Sequence, residues 1–213
     1  MKKLVLAVAI VSLVVSCKKV PAGGNHGVLK KDAAVERYSD DEQGTESTTS
    51  ANATTEKSAV KVEVNGTEIS ANKGGLEESM VAFLKADGYK KATDDAALKD
   101  KWYNFDSVTF KTGSANQLEK GKEQLSNLAT ILKAYPDAKI KIGGYTDKTG
   151  DEAVNKKIST QRAEFIKTEL TKLGVGSQVV SAEGYGSEFA TVAADKSDAE
   201  RAIDRKMSVR FTK

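Results

Sequence analysis

The sequence predicts an α/β sandwich in its C-terminal half, with the element order βαβαβ followed by one last strand. Strand-like segments and segments with apolar residues at helical spacing alternate along the chain after residue 101. Helices that return between strands are typical of a sheet with right-handed crossovers. The 213 residues are 39% hydrophobic and include two prolines, so most of the chain can bury a core.

Each element of this domain, residues 102–213, follows from a local pattern. Aromatic, β-branched or alternating residues predict the strands Trp102–Phe110, Lys139–Tyr145, Val179–Tyr185 and Lys206–Phe211. The first helix presents one apolar face, formed by Leu118, Leu125, Leu128, Leu132 and Tyr135, and ends at Pro136. The second helix covers Glu152 to Leu173, with Gly174 at its C′ position.

Residues 59–101 predict a small accessory segment made of a hairpin and a helix. Val60, Val62 and Val64 alternate with charged residues and lead into Asn65-Gly66, a strong hairpin signal. Apolar residues at helical spacing follow, namely Leu76, Met80, Phe83 and Leu84. No residue pattern in this segment indicates chemistry, so we interpret it as a packing element.

Residues 1–16 have the features of a signal peptide. Lys2 and Lys3 precede an apolar stretch from Leu4 to Val15, too short for a bilayer core of about 30 Å. The tetrapeptide ending at Cys17 resembles a bacterial lipobox. That resemblance implies lipidation of Cys17 after cleavage, with fatty acids such as palmitate; the alternative is a plain signal peptide with an incidental thiol. The residue after it, Lys18, favours the outer membrane.

Residues 17–58 predict a flexible tether behind the lipidated cysteine. The stretch 40–58 has no large apolar side chain, so burial cannot offset the entropy cost of ordering it. A disordered segment of this length suits a connection between a membrane and a structure close to it.

Composition excludes several function classes. A formal net charge of +3 is too balanced for a nucleic-acid-binding protein. One cysteine excludes a disulfide scaffold and a cysteine-based zinc site. The only histidine, His26, lies in the predicted tether, which argues against a histidine metal centre or a catalytic triad. We therefore predict no catalytic residue, no metal and no cofactor.

One stretch carries a multi-part motif. Gly144 to Gly150 reads GYTDKTG, and Asn155, Ser159 and Arg162 follow on the predicted second helix. Their spacings of four and three place these side chains on one helical stripe, while Asp147 lies where a strand runs into a loop. A carboxylate that faces an amide and a guanidinium suits a zwitterionic ligand.

These residues resemble the OmpA-like peptidoglycan-binding domain of OmpA, Pal and MotB proteins. Gly184-Tyr185-Gly186 and Asp204-Arg205-Lys206 fall where that family has Gly-Tyr-Gly and Asn-Arg-Arg. The resemblance covers residues 102–213 and implies peptidoglycan as partner, with diaminopimelate of the stem peptide as ligand. The resemblance implies that Asp147 accepts the ligand's ammonium and that Arg162 donates to its carboxylate. Asn155 would make polar contacts and hold the loop, with Thr149 nearby. Arg205 would be a second cation at the rim, and Thr146 and Gly113 would contribute loop backbone.

Several alternatives stay open. Asp147 and Arg162 could instead form a surface ion pair, which contributes only about 0–1 kcal/mol. The implied function is a non-covalent anchor of the outer membrane to the cell wall, with its folded domain in the periplasm. The alternatives are a wall-gripping subunit of a larger envelope complex, with protein partners, and a wall-active enzyme. The enzyme is disfavoured because the folded part has no histidine, cysteine, GxSxG or HExxH.

Overall fold

A computed structural model describes residues 58–111 and 113–213, all within a compact unit of Asn52–Lys213. The predicted signal peptide, Cys17, His26 and nearly all of the tether lie outside the described residues. The strands are β1 (Ala59–Val64), β2 (Thr67–Asn72), β3 (Trp102–Asn104), β4 (Thr109–Phe110), β5 (Leu118–Lys120), β6 (Lys139–Gly144), β7 (Val179–Gly184) and β8 (Met207–Thr212). The helices are α1 (Leu76–Lys85), α2 (Gly88–Lys91), α3 (Lys122–Ala134), α4 (Glu152–Lys172) and α5 (Asp198–Arg201). None of these helices is long and apolar enough to span a membrane.

A four-stranded mixed sheet forms the centre of the domain, in the order β3-β8-β6-β7. Strands β6 and β7 are parallel, and β8 runs antiparallel to both β3 and β6. Helix α4 connects the parallel pair and packs on both strands, and α3 packs against α4. This arrangement confirms the predicted α/β fold, in which helices return between strands of one sheet.

The hydrophobic core extends from the sheet to the accessory segment. Ile140, Ile142 and Val209 are fully buried beneath the helices. Val64 and Met80, from the predicted hairpin and α1, are equally buried and belong to the same cluster. The hairpin has the predicted turn, because Val64 pairs with Thr67 across Asn65-Gly66. Residues 59–101 therefore share their core with residues 102–213.

The prediction of one strand over Trp102–Phe110 was wrong. The ladder with β8 covers residues 102–104, and Thr109–Phe110 form a separate ladder with Leu118–Lys120. Leu118 therefore lies in β5 and not on the first predicted helix, which begins at Lys122. Gly121 separates β5 from α3, because its φ of +106° turns the chain there. Its backbone also lies too close to Val108 for a Cβ atom, so a larger residue does not fit.

A buried arginine ties the segment before β3 to the central strand. Arg210 of β8 is 7% exposed and donates to both carboxylate oxygens of Asp95, with Nη1–Oδ1 at 2.8 Å and Nη2–Oδ2 at 3.0 Å. The hydroxyl of Thr212 also donates to Asp95. The hydrogen bonds from Arg210 and Thr212 hold the pKa of Asp95 well below its usual range.

We expect Asp95→Ala to lower the free energy of unfolding by about 1–2 kcal/mol at pH 7, because it leaves Arg210 without its carboxylate. The estimate is modest because the Asp95 side chain is 40% exposed to solvent. Since the folded-state pKa is depressed, this contribution is present above about pH 4 and declines as the pH falls further. Urea denaturation should show it, with Asp100→Ala as the control on an exposed neighbour. Equal unfolding midpoints for the two variants would contradict the role of this pair.

Candidate functional site

A cleft of about 520 Å³ opens beside the end of β6 and is lined by charged side chains. Four cations and two carboxylates contribute to it, namely Arg162, Arg201, Arg205, Lys206, Asp147 and Asp198. Phe110, Tyr145 and Met207 add apolar surface, and Gly113 and Thr149 lie on the loops at its mouth. The surplus of cations favours a ligand with an anionic group.

Asp147 is a buried carboxylate at the base of the loop after β6, with its side chain 7% exposed. Its Oδ1 accepts hydrogen bonds from the backbone N–H of Thr149, at 2.9 Å, and from the Thr149 hydroxyl. Its Oδ2 accepts from Arg205 Nη1 at 2.8 Å and from Arg201 Nε at 3.4 Å. Burial alone would raise the pKa of Asp147, but the hydrogen bonds from Thr149 and Arg205 outweigh it and lower the pKa to about 2.

Arg162 projects from α4 into the same cleft. Its Nε and Nη2 donate to the carbonyl oxygen of Ser114, at 3.2 and 3.1 Å, and its guanidinium lies 5.2 Å from the ring centre of Phe110. Across residues 58–111 and 113–213, no carboxylate forms an ion pair with it. Burial and, secondarily, the charge of Arg205 lower the pKa of Arg162. Arg162 is thus a partly desolvated cation whose Nη1 is left for a ligand.

The backbone around the cleft is held by polar residues of α4. Asn155 donates its amide to the carbonyl oxygens of Thr149, at 2.9 Å, and Asp147, at 3.4 Å. Ser159 is fully buried and accepts from the backbone N–H of Gly186. These contacts require close approach, since a Cβ on Gly144 would lie 2.3 Å from the Ser159 carbonyl oxygen. Asn155 and Ser159 therefore position the loops and do not line the cleft.

Arg205 is an exposed residue of the cleft that joins its two carboxylates. Besides Asp147, it donates to both carboxylate oxygens of Asp198, at 3.0 and 3.1 Å. Arg201 also contacts both Asp147 and Asp198, and the sequence reasoning identified neither Arg201 nor Asp198. The sequence signal that could have indicated this helix is the capping box of Ser197 and Glu200, which marks the start of α5 just before Arg201.

Most of the predicted site residues lie together in the cleft, but some of them have roles other than those predicted. Asp147, Arg162, Thr149, Arg205 and Gly113 all line the cleft. Thr146 is buried and its backbone N–H donates to the carbonyl oxygen of Gly186; its hydroxyl has no partner among the described residues. The alternative of an ion pair between Asp147 and Arg162 was wrong, because Asp147 pairs with Arg205 and Arg201 instead.

The fold and the cleft define an α/β domain that presents a buried carboxylate and a separate, unpaired guanidinium in one opening. No group of three or more metal-ligating carboxylates occurs in the part of the chain that the structure describes. Such a site can bind a small zwitterion, with the carboxylate facing a cation and the guanidinium facing an anion.

Residues 109–205 match the model of the OmpA family. ArfA of Mycobacterium tuberculosis, which is named a peptidoglycan-binding protein, is 33% identical over 102 residues, or 48% of this chain and 31% of ArfA. YiaD of Escherichia coli, named a probable lipoprotein, is 35% identical over 80 residues, or 38% of this chain and 36% of YiaD. The crystal structure of the peptidoglycan-associated lipoprotein from Burkholderia pseudomallei is 31% identical, with a TM-score of 0.45, over 50% of this chain and 89% of that one.

The chain contains a domain, residues 109–205, that matches the OmpA family. It spans about a third of the length of these two curated relatives. The predicted resemblance to OmpA-like domains is therefore confirmed.

Proposed function

We propose that this protein is a peptidoglycan-binding lipoprotein that anchors the outer membrane to the cell wall without catalysis. Its ligand is the diaminopimelate of the stem peptide, bound in the cleft between Asp147 and Arg162. The observation that carries the proposal is the state of Arg162, a partly buried guanidinium that no carboxylate of the described chain neutralises. Its relative ArfA is named for peptidoglycan binding, which supports the same ligand class.

Diaminopimelate matches the charges of the cleft because its free end carries an ammonium and a carboxylate on one carbon. The carboxylate pairs with Arg162, which is fixed in place by the carbonyl of Ser114. The ammonium faces the carboxylate of Asp147, which the pKa of about 2 keeps ionised at neutral pH. Arg205 and Arg201 hold that carboxylate in place, since both contact its Oδ2.

A weak single contact is sufficient for an anchor. About a dozen heavy atoms at ~0.3 kcal/mol each give about 4 kcal/mol, which corresponds to a millimolar dissociation constant. The wall is a polymer that presents many stem peptides, so confinement beside it and repeated contacts raise the effective strength. Lipidation of Cys17 would supply that confinement, and the name of YiaD as a probable lipoprotein supports it.

Co-sedimentation of the purified chain with isolated peptidoglycan sacculi tests this function. We expect the protein to pellet with the sacculi and free diaminopimelate at tens of millimolar to release it, in keeping with the millimolar estimate. If free diaminopimelate did not reduce the amount of protein that pellets, the assigned ligand would be contradicted. Release of soluble muropeptides from the sacculi during incubation would contradict a purely binding role.

A further inference from the structure

Four aromatic side chains form a continuous cluster beside the cleft. The rings of Tyr145 and Tyr185 stack with their centres 5.1 Å apart and an interplanar angle of 22°. Phe189 stands edge-on to both, at 6.1 Å from Tyr145 and 5.6 Å from Tyr185. Trp102 contacts the two tyrosines from the other side, at 6.4 and 6.1 Å. The cluster thus runs from the sheet to the surface.

The cluster lies on the sheet face opposite the buried isoleucines of β6. A Cβ atom on Gly143 would lie within 3.0–3.1 Å of Tyr145, Tyr185 and Trp102, so the rings rest directly over this glycine. Trp102 is only partly buried on this face. Phe189 at the outer end is 56% exposed. An exposed phenylalanine that continues a packed aromatic surface marks an interaction site more than an isolated apolar residue does.

Charged and polar groups surround the aromatic surface. The Lys156 ammonium lies 5.6 Å from the ring centre of Tyr185, and the Lys206 ammonium 5.5 Å from that of Tyr145. Glu183 accepts a hydrogen bond from the Tyr185 hydroxyl at 3.0 Å. An apolar centre with hydrogen-bonding groups at its edge matches the amphipathic ring of a sugar, whose C–H groups can face the negative side of an aromatic ring.

We propose that this aromatic surface, formed by Tyr185 and Phe189, binds the sugar rings of the peptidoglycan strand. The inference rests on the proposed function, since the stem peptide in the cleft brings its own glycan to this surface. Tyr145 belongs both to the cleft lining and to the aromatic cluster, and Lys206 lines the cleft and contacts the ring of Tyr145, so the two surfaces are continuous. A few residues of extended stem peptide cover about 10 Å, which keeps the sugar close to a bound diaminopimelate.

Titration of the full chain with two ligands, followed by NMR, tests this assignment. One ligand is the stem peptide alone, and the other is the same peptide attached to its disaccharide. We expect the disaccharide form to bind the wild type roughly five- to tenfold more tightly, since a favourable ring contact is worth about 1 kcal/mol or more. Phe189→Ala should remove that difference and leave the affinity for the bare peptide unchanged.

Two further variants separate ring chemistry from folding. Phe189→Tyr keeps an aromatic ring and should keep the preference for the disaccharide form. Val180→Ala removes an exposed apolar side chain near the opposite end of β7 and should change neither affinity.

The outcomes distinguish the two proposals. The sugar assignment would be overturned if the wild type bound both ligands equally, or if Phe189→Ala kept the preference for the disaccharide form. Either result would leave the cleft function intact and point to a protein partner for the surface. A wild type that binds neither ligand would overturn the proposed function and this inference together.

Discussion

Arg162→Ala is expected to weaken binding of diaminopimelate-containing stem peptide by at least about thirtyfold, because truncating one partner of such a charge pair costs about 2 kcal/mol or more. Folding should change little, within about 1 kcal/mol, since Arg162 makes no ion pair in the described chain and its contacts there are the carbonyl of Ser114 and the ring of Phe110. Titration of the variant with stem peptide, together with urea denaturation, measures both quantities.

Lys157→Ala supplies the matched control for charge. Lys157 is exposed on the same helix and does not line the cleft, so its removal changes net charge by the same amount. If Lys157→Ala weakened binding as much as Arg162→Ala, the loss would reflect general attraction to the anionic wall and not a specific contact with the ligand.

Asp147→Asn is expected to abolish detectable stem-peptide binding and also to destabilise the fold. The ligand loses the carboxylate that faces its ammonium, and Arg205 and Arg201 lose their shared partner. Because the pKa of Asp147 is lowered to about 2 from an ordinary value of about 3.9, we expect a loss of about 2 kcal/mol in the free energy of unfolding at pH 7. Urea denaturation at a series of pH values measures it.

The pH dependence of this loss has a definite sign. A depressed folded-state pKa stabilises the protein above the unfolded pKa, so the full difference between wild type and Asp147→Asn should be present above about pH 4. It should shrink as the pH falls towards 2, where the wild-type carboxyl also becomes protonated. Asp195→Ala, at an exposed position outside the cleft, should show no such dependence. A difference that stays constant from pH 7 to pH 2 would contradict the assignment of this stability to the ionised carboxylate of Asp147.

Much of the fold could be predicted because the periodicity of its long elements is strong. Helix α4 begins at Glu152 as predicted, where the side chain of Asp151 caps its first turn, and β6, β7 and β8 match their patterns within one residue. The short elements could not be predicted in this way. The predicted strand Trp102–Phe110 is divided between two sheets, and a local pattern does not contain the partner strands, β8 and β5, with which each part pairs.

Only the site residues that belong to the sequence motif could be predicted. Asp147 and Arg162 follow from a spacing that places both at one end of the sheet. The contact between Asp147 and Arg201 did not follow, because Arg201 lies 54 residues away in the four-residue helix α5, which is too short to show a periodicity. The aromatic surface at Phe189 depends on the same kind of long-range packing, so no local pattern distinguishes Phe189.

The most direct test of the central claim compares sacculi that carry diaminopimelate with sacculi that carry lysine at the same position of the stem peptide. Lysine has the ammonium for Asp147 but lacks the adjacent carboxylate for Arg162. We expect the wild type to bind diaminopimelate sacculi at least about tenfold more tightly, and Arg162→Ala to bind both kinds equally weakly. Equal binding of the wild type to both kinds of sacculi would show that Arg162 does not recognise the ligand carboxylate and would contradict the proposed site.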